Sequence, residues 1–391
     1  MPPMATLYGA PDGSVSSQLY EYYNRRARGG VGLIIVENTA VTPRSVNYPN
    51  TLEIHHAGYE EGLTQLASGI KSTGAGAGIQ LFHPGRQMHP KYTGNSLVAP
   101  SAIPCQVMKA APSVLSGAEI RQLVADFVEG AVRAKQVGFD AVEIHAAHGY
   151  LGAQFLSPLS NNRTDAYGGS SERRARFVLE IGRGIREAVG DDFPVLLRFS
   201  ADEKLKGGLT LDAARCLVPL FEKAGFSALH VSAGCYSSME WIVQPYLQER
   251  ACLGDLAKAI RQETDLPVIA VGRIVDLDAA ERLLRDGSAD LVSMGRALIA
   301  DPDLPRKATE KSTSAIRPCL GCNVCIQFVG VKQTRCAVNP EMGQETAYMK
   351  EVKPGHIVVI GGGPAGLEAA LAAADRGRQV TLLERESALG G

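Results

Sequence analysis

Asp140-Ala-Val-Glu-Ile-His145-Ala-Ala-His148-Gly-Tyr150 begins as a short strand and ends in three side chains able to do chemistry. Asp140–His145 has the short, β-branched and mostly apolar character of a strand. Within an extended strand His145 and His148 would face opposite sides. Gly149 and the small alanines permit a turn, so both imidazoles and the Tyr150 phenol can converge beyond the strand's end. Parallel barrels gather their chemistry at the C-terminal ends of their strands, and the arrangement recurs along this chain. Gln80 lies near the end of Gly76–Phe82 and Arg198 near the end of Pro194–Phe199. Cys235 and Tyr236 follow Ala228–Ser232, Gly272-Arg273 follows Pro267–Val271, and Gly295-Arg296 closes Asp290–Met294.

Val31–Glu37 adds a seventh strand, and Met1–Thr6, just before a helix at Ser14–Ala27, supplies an eighth. Amphipathic segments Gly117–Gln136, Ser171–Val189, Thr210–Ala224 and Asp276–Asp286 lie between strands. Continuous apolar strands, each followed by a helix, indicate a parallel sheet buried on both faces. Eight β/α units over about 300 residues fit a TIM (β/α)8 barrel. A doubly wound open sheet is the alternative; the strand-end chemistry favours the barrel. Met1-Pro-Pro-Met starts inside the first strand without a lead-in, which reads as a truncation point or internal start.

The 391 residues are 45% hydrophobic and 21% charged with a net charge of −1, the profile of a globular enzyme without a broad basic surface for nucleic acid. No apolar run approaches the roughly 20 residues of a membrane span, and the N-terminus lacks the charged-then-apolar pattern of a secretory signal. Neither nucleic acid nor membrane is expected as a partner, and a homo-oligomer is left open.

Cys319-x-x-Cys322-x-x-Cys325 and Cys336, after ten intervening residues, hold half of the eight cysteines. A tight triplet plus one remote thiol points to a [4Fe–4S] cluster; zinc and a metal-free thiol group are the alternatives. Thiolates kept for a cluster suit a reducing cytoplasm. Cys105, Cys216, Cys235 and Cys252 read as small buried residues. After the cysteines comes His356-Ile-Val-Val-Ile-Gly361-Gly-Gly363-Pro-Ala-Gly366, then a helix, then Val380–Glu384. The glycine fingerprint between strand and helix, with an acid ending the next strand, indicates an FAD or NAD site in which Glu384 takes the ribose hydroxyls. The chain ends at Gly391, short of a complete domain of this kind.

Other residues fit the barrel's open end. Glutamine at position 80 offers a donor and an acceptor to a flavin's pyrimidine edge. Arg198, inside an apolar strand, can hold charge near flavin N1 and O2. Gly272, Gly295 and Arg296 stand where barrels often bind phosphate. For the two histidines the other readings are a mononuclear metal site or a structural loop. Asn161–Gly169 reads as a long polar loop before a helix, and Trp241, the only tryptophan, excludes an all-tryptophan cage for a quaternary amine.

Together, HAAHGY at 145–150, QFLSPLSNNRTDAYGG at 154–169, MGRALIADP at 294–302 and the cysteine cluster before the glycine fingerprint resemble the old yellow enzyme superfamily. They resemble most its large iron–sulfur members: 2-enoate reductase, 2,4-dienoyl-CoA reductase and trimethylamine dehydrogenase. The resemblance implies an FMN-binding TIM barrel at 1–312, a [4Fe–4S] segment at 313–353 and the first β-α-β unit of an incomplete FAD/NAD(P)-binding domain at 354–391. It implies that Pro3, Met4 and Thr6 touch the flavin, that Gln80 and Arg198 hold its ring, and that Gly272, Gly295 and Arg296 hold its phosphate. It makes Tyr150 the proton donor and His145 and His148 the substrate anchors, assigns Cys319, Cys322, Cys325 and Cys336 to the cluster, and assigns Gly361, Gly363, Gly366 and Glu384 to the dinucleotide.

Two departures refine it. The amine dehydrogenase attaches FMN through a cysteine where this chain has Met4, so non-covalent FMN is expected. His230-Val-Ser-Ala-Gly-Cys-Tyr236 looks most like the 2-enoate reductase group. The expected activity is reduction of an α,β-unsaturated acid or thioester, with electrons running from NAD(P)H through FAD and the cluster to FMN in the intact protein. Oxidative demethylation of an amine, or electron transfer without a substrate of its own, are the competing readings.

Overall fold

A computed structural model describes residues 1–88, 97–327, 330–348 and 354–391. The chain divides into two compact units, Met1–Gly343 and Gln344–Gly391.

Seven parallel strands build the first unit: β1 (Leu33–Ala40), β2 (Gly76–Phe82), β3 (Ala141–Ala146), β4 (Val195–Ser200), β5 (Ala228–Ser232), β6 (Val268–Ala270) and β7 (Leu291–Val292). They neighbour one another in chain order, with a two-residue strand, Leu52–Glu53, flanking β1. Every residue of β3, β4 and β5 is buried, as expected of parallel strands covered on both faces. The covering helices include α1 (Ser17–Arg28), α2 (Glu60–Lys71), α3 (Gly117–Gln136), α4 (Leu151–Leu156), α5 (Ser171–Val189), α6 (Leu211–Lys223), α7 (Gly254–Arg261) and α8 (Leu277–Arg285). Thr210 and Asp276, expected as first helical residues, are N-caps whose side chains accept from the backbone N–H of Ala213 and Ala279.

Met1–Thr6 is not a strand. Pro2 and Pro3 have no N–H to give a ladder, so the segment joins the backbone of β1 through its first residue alone. The Met1 ammonium donates to the Leu33 carbonyl at 2.7 Å and Ile35 N–H donates to the Met1 carbonyl at 3.0 Å. On its other side the segment packs on the end of β7, where a methyl group on Gly295 would meet Met4 Sδ at 2.8 Å and Pro2 Cγ at 3.0 Å. The N-terminal segment therefore stands between β1 and β7 as the eighth stave of a TIM barrel. The last two strands are shorter than expected at both ends; each begins one residue late, where Pro267 has no N–H and Asp290 turns its carboxylate onto Val268 N–H.

Residues 313–343 belong to the first unit. Thr334 ties them to the N-terminal segment, donating through N to Thr6 O at 3.0 Å and through Oγ1 to Ala5 O at 3.2 Å. Asn339 Nδ2 donates to Ile299 O, and Arg25 pairs with Glu341 at 2.7 Å.

In the second unit, β8 (His356–Ile360) and β9 (Gln379–Leu383) pair in parallel around the helix Pro364–Ala374. A side chain on Gly366 would collide with the Gly361 carbonyl, so helix and strand approach there only as glycine. Among the described residues no helix is long and apolar enough to cross a membrane.

Candidate active site

The register brings polar residues of four strands to two adjacent levels. Gln80 pairs with Glu143, His145 with Arg198, and Arg198 with His230. Gln80 Nε2 donates to Glu143 Oε1 at 2.8 Å, and His230 Nδ1 meets Glu143 Oε2 at 2.6 Å. Burial pushes the Glu143 carboxyl up, but His230, Arg198 and Gln80 together hold it below its usual range. Arg198 is buried with its Nε unpartnered, and burial lowers its basicity against the pull of Glu143 and Tyr150. One N–H of Gln80 is committed to Glu143, which leaves its other N–H and its carbonyl oxygen to offer.

His145 and His148 are 5% and 6% exposed. The chain turns between them and Tyr150 by left-handed backbone at His148 (φ 60°) and Gly149 (φ 76°). A Cβ on Gly149 would lie 2.8 Å from Gln87 Oε1, so this turn requires glycine. The imidazoles meet edge to face with centroids 5.1 Å apart, and Tyr150 meets His145 at 4.9 Å and Phe82 at 4.7 Å. His145 Nδ1 accepts from Ala147 N–H at 3.2 Å, which puts the ring proton of the neutral form on Nε2. His148 Nε2 pairs with Ser232 Oγ at 2.8 Å. Burial first, and then the Arg198 charge, push both imidazoles well below their ordinary basicity, so both are neutral. Tyr150 OH meets Tyr236 OH at 2.9 Å, and Tyr236 OH meets Tyr48 OH at 3.3 Å. Burial raises the phenols of Tyr150 and Tyr236 above the ordinary value.

Gln80, Arg198, the two histidines and the three tyrosines line one cavity of about 360 Å³, within the size range of small-molecule sites, about 300–1,000 Å³. Of the expected residues, Pro3, Met4, Gln80, His145, His148, Tyr150, Arg198, Gly272, Gly295, Arg296 and Cys325 are on its wall. Thr6 is not: its N and Oγ1 donate to the buried Glu37 carboxylate at 3.1 and 2.7 Å. At the far strands, Gly272 has φ 107°, and Arg296 NH1 donates to Gln244 O at 2.6 Å and to Asn323 Oδ1 at 2.5 Å. Asn323 lies between Cys322 and Cys325, so this arginine joins the end of β7 to the cysteine loop.

Cys319, Cys325 and Cys336 are partly buried, Cys322 is exposed, and all four are free thiols. Burial pushes the Cys325 thiol up to about 11 against the pull of Arg296, with the other three cysteines adding to the rise. Among the described residues no three histidine, cysteine, aspartate or glutamate side chains converge as ligands of a single ion would. Of the cysteines expected to be buried, only Cys105 is; Cys235 and Cys252 are partly exposed and Cys216 is exposed on α6, because its position on the helix faces away from the sheet. In the second unit, Glu384 Oε2 accepts from Gly362 N–H at 2.6 Å, which holds the acid against the glycine turn of Gly361, Gly363 and Gly366.

Sequence reasoning missed Tyr48, Glu143 and Ser232. A lone glutamate inside the apolar run Ala141–Ala146 was the available signal for Glu143; a tyrosine in the loop after β1 and a serine ending β5 carry none.

The family described as NADH:flavin oxidoreductase / NADH oxidase matches residues 1–314. The chain belongs to that family. The family described as FAD dependent oxidoreductase matches residues 356–391. The family's barrel is the first unit here, and the old yellow enzyme likeness read from HAAHGY stands. An NADH oxidase of Thermoanaerobacter brockii is 46% identical over 400 residues, which take in 100% of this chain and 61% of that protein. A cinnamate reductase of Clostridium sporogenes is 35% identical, over 97% of this chain and 61% of that protein. Among solved structures, a 2-naphthoyl-CoA reductase complex superposes with a TM-score of 0.92 at 29% identity, over 100% of this chain and 62% of that one. Histamine dehydrogenase from Rhizobium sp. 4-9 superposes with a TM-score of 0.89 at 33% identity, over 100% and 58%. The chain thus spans about three fifths of the length of these relatives.

Proposed function

We propose that this flavin oxidoreductase is an ene-reductase, saturating the C=C bond of an α,β-unsaturated acid or thioester. One observation carries the reading: two neutral imidazoles and a phenol converge on a cavity whose wall also holds Gln80 and Arg198. FMN, when bound, supplies the hydride for such a reduction. The residues fit it. The unpartnered Arg198 Nε and the Gln80 amide would hold the ring's pyrimidine edge, while Gly272, Gly295 and Arg296 would hold the phosphate. Pro3 and Met4 would cover the ring, and Thr6, turned onto Glu37, would act by fixing their segment. No cysteine lies in that segment, so the flavin would be held non-covalently.

His145 and His148 donate to the substrate's carbonyl oxygen and stabilise the negative charge that develops there. Tyr150 gives its proton to the α-carbon. A cavity rich in hydrogen-bond donors suits a carbonyl or carboxylate oxygen better than an ammonium group, which has donors only. That argument favours enoate reduction over amine oxidation, and the likeness to a protein named cinnamate reductase supports it.

Cys319, Cys322, Cys325 and Cys336 would hold a [4Fe–4S] cluster for one-electron transfer. The all-thiol donor set and the place of Cys325 on the cavity wall support this. Gly361, Gly363, Gly366 and Glu384 would take FAD, with NAD(P)H the electron source of the whole protein in a reducing cytoplasm.

The test is anaerobic mixing of photoreduced protein with cinnamate. Reoxidation of the flavin with formation of the saturated acid is expected, slowed about 10²–10⁴-fold by Tyr150→Phe at unchanged flavin content. No reoxidation by enoates, together with bleaching of the oxidised flavin by histamine, would replace this reading with amine oxidation.

A further inference from the structure

Resting on the ene-reductase reading, we propose that Tyr236 is a positioning residue that stabilises the Tyr150 phenolate and returns its proton, drawn in turn from Tyr48. The three hydroxyls form a chain, Tyr150 to Tyr236 at 2.9 Å and Tyr236 to Tyr48 at 3.3 Å, and all three side chains line the cavity. A phenol that bridges two others donates to one and accepts from the other.

The bridge is built into the fold. Cys235 pairs with His148 as an isolated parallel bridge, which joins the turn carrying Tyr150 to the loop carrying Tyr236. That loop is pinned by Ser238, whose Oγ accepts from Cys235 N–H at 2.9 Å and donates to Glu203 O at 2.7 Å. The rest of the Tyr150 surroundings cannot supply a proton to its oxygen. Phe82 has none to give, Arg198 offers charge but stays protonated, and the one ring proton of neutral His145, on Nε2, is the proton that serves the substrate's carbonyl oxygen. Loss of a proton from a phenol this buried needs a hydrogen bond to the oxygen left behind, and Tyr236 is the group in place to give it.

The step balances. As the C–H bond forms at the α-carbon, the Tyr150 O–H bond breaks and leaves a phenolate. Tyr236 passes its proton to that oxygen, Tyr48 passes its own to Tyr236, and water restores Tyr48. The hydride comes from the reduced flavin, so no further reductant is consumed.

A fluorinated tyrosine at position 150 makes the phenolate visible by absorbance without any substrate. In otherwise intact protein, Tyr236→Phe is expected to raise the pKa of that phenol by about one unit, a tenfold loss of phenolate stabilisation. An unchanged or lower pKa would overturn the proposal. In cinnamate-driven reoxidation, Tyr236→Phe should slow the wild-type background about tenfold and add nothing to Tyr150→Phe. Equal slowing in both backgrounds would reveal a packing role and overturn it. Tyr48→Phe should slow repeated turnover and spare the first; an equal effect on both would remove Tyr48 from the path. A wild-type protein inert to enoates, yet showing the titration shift, would overturn the ene-reductase reading and keep the hydrogen-bond role of Tyr236.

Discussion

Glu37 offers a measurable contest between burial and hydrogen bonding. It lies on β1 with 3% of its surface exposed. Thr6 N and Oγ1 donate to its two oxygens, and the Tyr23 hydroxyl donates at 3.3 Å while accepting from Glu37 N–H at 2.8 Å. Burial wins over these donors, and the carboxyl is pushed from 4.5 up to about 7. At about 1.4 kcal/mol per unit, ionising it in the folded state costs about 3 kcal/mol. The folded protein holds this proton more tightly than the unfolded chain. Stability from this group is therefore fully present below pH 4.5 and is lost as pH rises to about 7. Glu37→Gln keeps the shape and removes the titration. Its melting curve, followed by near-ultraviolet circular dichroism, should coincide with wild type near pH 4.5 and lie roughly 6 °C higher at pH 8, taking roughly 2 °C per kcal/mol for a large domain. Profiles that stay parallel from pH 4.5 to 8 would refute an ionisation near 7. A mutant less stable at pH 8 would show that the Thr6 and Tyr23 donors outweigh burial.

Anaerobically purified protein should contain about four irons per chain, mostly lost in Cys322→Ala with flavin retained; one zinc and no acid-labile sulfide would end the cluster assignment. Arg296→Ala should weaken FMN at least tenfold, the order of a charged hydrogen bond, and leave riboflavin unaffected, whereas equal weakening of both in equilibrium dialysis would move the phosphate elsewhere. Gly149→Ala forces a Cβ into left-handed backbone against Gln87, which should cost about 1–2 kcal/mol for the backbone alone; unchanged urea unfolding would show that the turn adapts.

How far the sequence could be read depended on whether a feature was local. Gly117–Gln136 and Ser171–Val189 form helices over the residues expected because their caps, Ser116 with Glu119 and Ser170, are adjacent in sequence. The strand-end residues were legible because each stands at the close of an apolar run, just before the turn that follows it. Met1–Thr6 misled because its role in the barrel needs no ladder beyond one residue, and its two prolines forbid one. The direction of Thr6 was invisible because Glu37 is distant in sequence and reads as the polar end of a strand. The Tyr48–Tyr236–Tyr150 chain depends on three loops whose approach no local pattern encodes.

Glu143 shows how the barrel presets its own site. A carboxylate in a barrel interior is costly unless it is paired, and here three neighbouring strands supply the partners. Gln80 comes from β2 and Arg198 from β4, and His230 comes from β5. A one-residue slip of any of these strands would turn its partner out of the interior and leave the carboxylate exposed to apolar walls. The register that buries the aliphatic residues is thus the register that satisfies Glu143. The same pairing fixes Gln80 and holds Arg198 beside the His145 and His148 rings as a charge that, after burial, helps keep both imidazoles neutral. The group that touches no cavity surface therefore sets the hydrogen-bonding character of those that do.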